Sequence, residues 1–183
     1  GGVHTAILKN NGTVFTFGGN IYGQLGNGTI NQSLVPMEIS GNHTDIIAVS
    51  CGHSHTAILK NNGTVFTFGS NNLGGLGLDY SASDSIVNVP IQIMGNHTDI
   101  IAVSCGFLHT AILKNDGTVF TFGYNDRGQC GIISNGYTMV ILPQLIPITD
   151  AIGVSCGYKY TAILKNDGTV FTFGSNRDND NNI

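Results

Sequence analysis

His4, His55 and His109 each stand directly before a Thr-Ala-Ile-Leu string, and Cys51 and Cys105 lie four residues ahead of the second and third of them. Cys156 holds the same place ahead of Tyr160. Imidazoles and thiols are the groups of general bases, nucleophiles and zinc sites. A metal site needs ligands that converge, and no Cys-x-x-Cys or mixed His/Cys spacing is present. Equivalent positions in successive repeats are held apart by the repeat itself, beyond the Cα separation of a disulfide. The expected state is buried, reduced thiols in a reducing compartment. The recurring histidines are expected to satisfy backbone groups at the entrance to a strand, a task for which Tyr160 also has a polar tip. His43 and His97 belong to repeated Gly-Asn-His-Thr-Asp strings and read as turn residues, while His53 stands outside any repeated slot.

Other chemistry is sparse. There is no Gly-x-Ser-x-Gly, no phosphate-loop Gly-Lys-Ser/Thr and no His-Glu-x-x-His, and Glu38 is the sole glutamate. The Gly-rich stretch Gly18–Gly26 lacks a following helix to supply amide donors to a phosphate, so it reads as a turn. No catalytic residue, no metal ligand and no cofactor is assigned. Lys9, Lys60, Lys114 and Lys165 supply four of the seven basic residues, each just before a tight turn. They are expected to be solvated edge guards; a rim for an acidic partner is the alternative. Asn11, Asn27, Asn31, Asn42, Asn62 and Asn96 fit the glycosylation pattern, although at Asn11 and Asn62 a hairpin explains the sequence without a sugar.

The element that must position these residues is a repeat. The string TAILKNNGTVFTFG begins at Thr5 and Thr56 and returns as TAILKNDGTVFTFG at Thr110 and Thr161, at spacings of 51, 54 and 51 residues. Periods of this size mark propellers and solenoids. In the second copy, residues 45–52 form an apolar run closed by Gly52, and Thr56–Lys60 a second strand. Asn61-Asn62-Gly63 is a hairpin signal in which both Asn and Gly tolerate positive φ. Thr64–Phe68 is a third strand with Phe66 and Phe68 on one face. Pro90–Ile93 reads as a fourth, outer strand led by its proline. Four short strands per unit of about fifty residues make a propeller blade. Eight of nine phenylalanines fall at two slots of the repeat and are expected to dominate the packing. No helical period appears, which rejects a helical solenoid.

With 7 basic against 11 acidic residues and a net charge of -4, the chain lacks the basic footprint of a nucleic-acid binder. No run of 18 apolar residues is present, so no membrane span is expected. No signal peptide is visible, and the chain opens inside a repeat without an initiator Met, so a preceding segment with its own targeting signal is compatible with it. The expected location is intracellular, cytoplasmic or nuclear.

Residues 49–59 (VSCGHSHTAIL) and 103–113 (VSCGFLHTAIL) resemble the signature of the regulator of chromosome condensation repeat. The companion motif looks like Gly18–Gly26, and recurs at Gly69–Gly77 and Gly123–Gly131, with Gly75 replacing Gln and Cys130 replacing Leu. The likeness covers nearly the whole chain. It implies an all-β propeller of four-stranded blades, in the family commonly a closed ring of seven. About three and a half units are present, so an incomplete ring of about 3–4 blades is expected over residues 1–176, with a polar, disordered tail at 177–183. The fourth unit departs from the family by carrying Tyr160 for His and by losing the Gly-Gln-Leu-Gly turn. A fragment of a longer propeller, a truncated product and half of a homodimeric ring all fit that count.

Function is expected where the copies differ. The loops Asn27–Val35, Leu78–Val89 and Ile132–Leu142 are long and individually distinct, as binding loops on a rigid scaffold are. Tyr22, Asp79, Tyr80, Asp84, Arg127, Tyr137 and Met139 are the candidate partner-binding residues, chosen as exposed aromatic, arginine and flexible contacts. A non-catalytic scaffold for a protein partner is the expectation. The alternative implied by the resemblance is guanine-nucleotide exchange on a small GTPase; a chromatin role is disfavoured by the acidic balance.

Overall fold

The computed structural model of the chain describes residues 1–79, 85–133 and 138–176. Every regular element among them is a strand: β1 (His4–Leu8), β2 (Val14–Gly18), β3 (Ser33–Glu38), β4 (Ile46–Cys51), β5 (His55–Lys60), β6 (Val65–Ser70), β7 (Ile86–Gln92), β8 (Ile100–Cys105), β9 (His109–Lys114), β10 (Val119–Tyr124), β11 (Met139–Leu145), β12 (Ala151–Cys156), β13 (Tyr160–Lys165) and β14 (Val170–Gly174). They form four antiparallel sheets, β1-β2-β3, β4-β5-β6-β7, β8-β9-β10-β11 and β12-β13-β14. The middle two are complete blades. Among the described residues the first has no strand in the inner position that β4 and β8 occupy, and the last none in the outer position of β7 and β11. The arc of four sheets is not closed.

Both faces of the middle sheets pack on a neighbouring blade, so the central strands β5 and β6 are buried on both faces rather than alternating. Ala57, Ile58 and Leu59 of β5 are fully buried, as are Val65, Thr67 and Phe68 of β6. The phenylalanines expected to dominate are thus joined by both faces of the hairpin; Phe68 is enclosed and Phe66 is half-buried beside His43, ring centroids 4.8 Å apart. His97 repeats that contact on Phe120 at 4.5 Å.

Two expectations shift. In the hairpin only the glycine takes positive φ, 77° at Gly63, while Gly63 N–H donates to Lys60 O and Lys60 N–H to Thr64 O. This is a type I turn ending in a glycine bulge rather than a turn with two left-handed residues. The outer strand also starts earlier than Pro90 predicts: β7 runs from Ile86, with the proline inside it. An edge strand tolerates that because the missing N–H faces away from the ladder.

The candidate interaction face

Each junction between blades carries a polar latch. His4 Nε2 lies 2.7 Å from Thr56 Oγ1, His55 Nε2 3.0 Å from Thr110 Oγ1, and His109 Nε2 2.9 Å from Thr161 Oγ1. Each threonine hydroxyl donates onward to a carbonyl in the preceding blade's turn: Gln24, Gly75 and Gln129, at 2.8–2.9 Å. A hydroxyl has one proton, so the imidazole must be the donor, which assigns the neutral tautomer with its proton on Nε2. Burial pushes His55 down to about 3 and His109 to about 4, holding both neutral. The sequence pointed to backbone groups at the strand entrance as their partners; the histidines instead join blades through a threonine side chain. They are enclosed and offer no base to a substrate.

The thiols are held protonated, Cys105 and Cys130 buried and Cys51 and Cys156 half-buried. All four cysteines are free, burial pushes Cys105 up to about 12 and Cys156 to about 11, and no group of three metal-binding side chains occurs among the described residues. The inner strands are tied by Cys105 N–H and Cys156 N–H donating to Ser50 Oγ and Ser104 Oγ, both at 2.9 Å.

What remains open lies on one face. Strands β4, β6, β8 and β10 all end there, so it gathers the turns Gly52–Ser54 and Gly106–Leu108, the Gly-Asn turns and the long variable loops. Successive inner turns hydrogen-bond: His53 N–H donates to Phe107 O at 3.0 Å, and Phe107 N–H reaches Gly157 O and Tyr158 O at 3.3 Å. That spacing stacks three rings toward the axis, His53 on Phe107 with centroids 4.4 Å apart and Phe107 on Tyr158 at 4.2 Å. Only glycine permits the approach: a Cβ on Gly106 would sit 2.2 Å from the His109 ring and 2.6 Å from Gly157 O. Tyr158 is 45% exposed at the end of the stack. The rings line an open cavity of about 250 Å³ that Cys51, Cys105 and Cys156 also border.

Tyr22 lines a second cavity of about 250 Å³ shared with His53 and Phe107, so the structure brings this predicted residue to the ring stack. Arg127 is exposed, with its Nε 3.5 Å from Asp126 Oδ2, which also takes Lys159 Nζ at 3.1 Å. Burial opposes ionisation of Asp126, yet the hydrogen bonds from Lys159 and Gln129 hold its carboxyl below the usual range. Asp79 is exposed at the end of its turn. Met139 starts β11 and pairs with Tyr124 in the sheet, half-buried at the outer edge and apart from the rings. Tyr80, Asp84 and Tyr137 lie outside the described residues, as does the tail at 177–183. Sequence reasoning missed Phe107 and Tyr158 and gave His53 no role. The available signal was that Cys-Gly-x-x-His/Tyr-Thr holds constant while its two middle positions change: His53-Ser54, Phe107-Leu108, Tyr158-Lys159.

The profile of the Regulator of chromosome condensation (RCC1) repeat matches residues 11–59, 62–113 and 116–164, and a second profile of the same description matches 46–74, 100–129 and 151–180. The chain belongs to the RCC1 repeat family. It is 30% identical to human Protein RCC2 over 93% of this chain and 37% of that protein. It is 33% identical to Regulator of chromosome condensation from Xenopus laevis, over 95% of this chain and 45% of that one. The chain thus spans less than half the length of these RCC1 relatives. In fold it is similar to yeast RCC1 (Prp20) in a crystal structure with Kap60, with TM-score 0.81 and 20% identity over 94% of this chain and 42% of that one. It is similar also to human WBSCR16, with TM-score 0.83 and 24% identity over 95% and 46%. The all-β propeller architecture expected from the RCC1 likeness is the one observed, as an incomplete ring.

Proposed function

We propose that this RCC1-type arc is a protein-interaction segment that reads its partner through the loop face and performs no covalent chemistry. The observation that carries this reading is the segregation of difference. Hairpins, latches and inner strands repeat almost unchanged, whereas the ring stack, Tyr22, Leu73 and Arg127 differ from unit to unit on one face. A rigid scaffold that varies on a single face is built for recognition, and aromatics with an arginine on the same face have the composition of an interface. The free thiols support an intracellular setting, where they stay reduced.

A second reading is guanine-nucleotide exchange or its regulation. It is favoured by the likeness to Regulator of chromosome condensation and to yeast Prp20p, a protein whose structure was reported with its binding to Gsp1p and histones. Both readings are tested together. The partner is identified by cross-linking to the loop face, and its affinity is measured against Phe107→Ala and Arg127→Ala, with Lys60→Ala and Lys114→Ala on the opposite rim as controls. Loss of about 2 kcal/mol or more, roughly thirtyfold, is expected for a central anchor and no loss for the controls. Equal loss on both rims sinks the loop-face reading. Accelerated nucleotide release from any member of a small-GTPase panel would replace it with the second.

A further inference from the structure

One unit of the array lacks a side chain that its neighbours use to close their turns. In the first blade Gln24 Oε1 accepts Tyr22 N–H, and in the third Gln129 Oε1 accepts Arg127 N–H, both at 2.9 Å. In the second blade the same position is Gly75. The backbone part of the role survives, since Gly75 O still takes the Thr110 latch at 2.8 Å and Leu76 O still takes Thr67 Oγ1 at 2.8 Å. The path of the turn survives too: Gly23, Gly74 and Gly128 have φ of 78°, 75° and 77°. Only the carboxamide is missing. Leu73 N–H, which corresponds to the amides of Tyr22 and Arg127, has no partner among the described residues. In the same turn Asn71 Oδ1 is buried without a partner, although Asn20 Oδ1 and Asn125 Oδ1 accept Leu25 N–H and Cys130 N–H at 2.9 Å.

The space is left open as well. The cavity of about 250 Å³ between the second and third blades is bordered by Gly75, Leu73, Asn72, His55, Tyr22 and Phe107. Cofactor and drug-sized ligands fill roughly 300–1,000 Å³, so this cavity suits one or two protein side chains.

We propose that this cavity receives a side-chain carboxamide, from a glutamine or asparagine on a partner protein, which takes the place of the glutamine that Gly75 replaces. Its carbonyl oxygen accepts Leu73 N–H. Its amide group carries no charge to bury; in the third blade Gln129 Nε2 donates to Asp126 Oδ1 at 3.2 Å, and in the first Gln24 Nε2 is enclosed without a partner among the described residues. A carboxylate would offer the same acceptor, but the lining contains no lysine or arginine to offset its desolvation. His55 is no substitute cation, since burial keeps it neutral. The subsite rests on the loop-face reading and makes it specific: the partner is anchored by an amide among aromatic walls.

The test uses the 15N-labelled chain and three probes: N-acetylglutamine methylamide, its norvaline analogue lacking the carboxamide, and its glutamate analogue. The glutamine probe is expected to shift the Leu73 amide proton downfield and saturably, with a Kd of the order of millimolar for so small a ligand. The other two should bind at least about tenfold more weakly, the norvaline probe because it leaves Leu73 N–H unpaired and the glutamate probe because it buries an uncompensated charge. Gly75→Gln should abolish the shift. A Cβ there stands 3.3 Å from Leu108 O, a tight fit, so a thermal melt checks that the variant is folded; if it is not, the three-probe comparison on the parent chain decides alone. Equal binding of the three probes, or no saturable shift with any of them, overturns the proposal. A silent cavity with partner binding still lost in Phe107→Ala removes the subsite and leaves the loop face. Probe binding with no effect of Phe107→Ala removes the face and leaves the subsite.

Discussion

At the residue scale the latch threonines are each committed twice. Thr110 Oγ1 accepts from His55 and donates to Gly75 O within a fully buried junction. Thr110→Val keeps the shape and strands both partners. Unmade buried hydrogen bonds cost about 1–3 kcal/mol each, so urea denaturation should show a loss of that order or twice it, whereas Thr118→Val at an exposed turn should cost less. The histidines add a pH signature. An unfolded imidazole takes a proton near 6.5, but His55 and His109 resist it down to about 3 and about 4. Between those values the unfolded chain binds more protons than the folded one, so stability is complete above pH 6.5 and falls as pH drops through that window. Each unit of depression is worth about 1.4 kcal/mol. Melting temperatures measured from pH 8 to 4 should decline steeply below 6.5, and His55→Gln should flatten the slope at some loss of stability at pH 8.

At the scale of the element the hairpins and inner strands were legible in the sequence because they repeat and because strand and turn chemistry are local. Asn62-Gly63 and Asp116-Gly117 announced the turns. Their exact form was not announced, since a glycine bulge and a two-residue turn both place Gly last and only the hydrogen bonds separate them. Asp116 and Asp167 in the later copies stand where Asn11 and Asn62 stand in the earlier ones, and in all four the side chain accepts both N–H and hydroxyl of the following threonine. Asn62→Asp is therefore expected to leave stability within about 0.5 kcal/mol. Gly63→Ala should cost more than 1 kcal/mol, because φ is 77° and the added Cβ would meet Asp99 N at 2.7 Å. Chemical denaturation of the two variants checks both. The ring stack was illegible for the opposite reason. His53, Phe107 and Tyr158 are 54 and 51 residues apart, and their contact exists only because the inner strands of three blades converge.

At the scale of the molecule the arc ends on two unequal surfaces. Val65 and Val119 are fully buried, while Val170 at the same slot of β14 is 61% exposed and Phe171 46%. Exposed apolar strands of this kind seek cover. The chain as it stands is expected to associate with increasing concentration in sedimentation velocity, and Val170→Lys with Phe171→Glu to reduce that association. Unchanged sedimentation in the double variant would show that the contact lies elsewhere. The half-ring count was available from the number of repeats; which strand positions the two end sheets fill among the described residues was not, since that depends on pairing.

The latch is also directional. Every junction places the imidazole on one blade and the hydroxyl on the next, with the turn carbonyl behind it, so any blade of this kind presents the same socket and the same plug. An in-register duplication or deletion of one unit would leave no donor or acceptor stranded, and the array can change length without renegotiating its interior. Tyr160 is the exception. It puts a phenol where the plug should be, and a blade docking against it must be cut to fit that ring, which gives this one unit a fixed address in an otherwise interchangeable series.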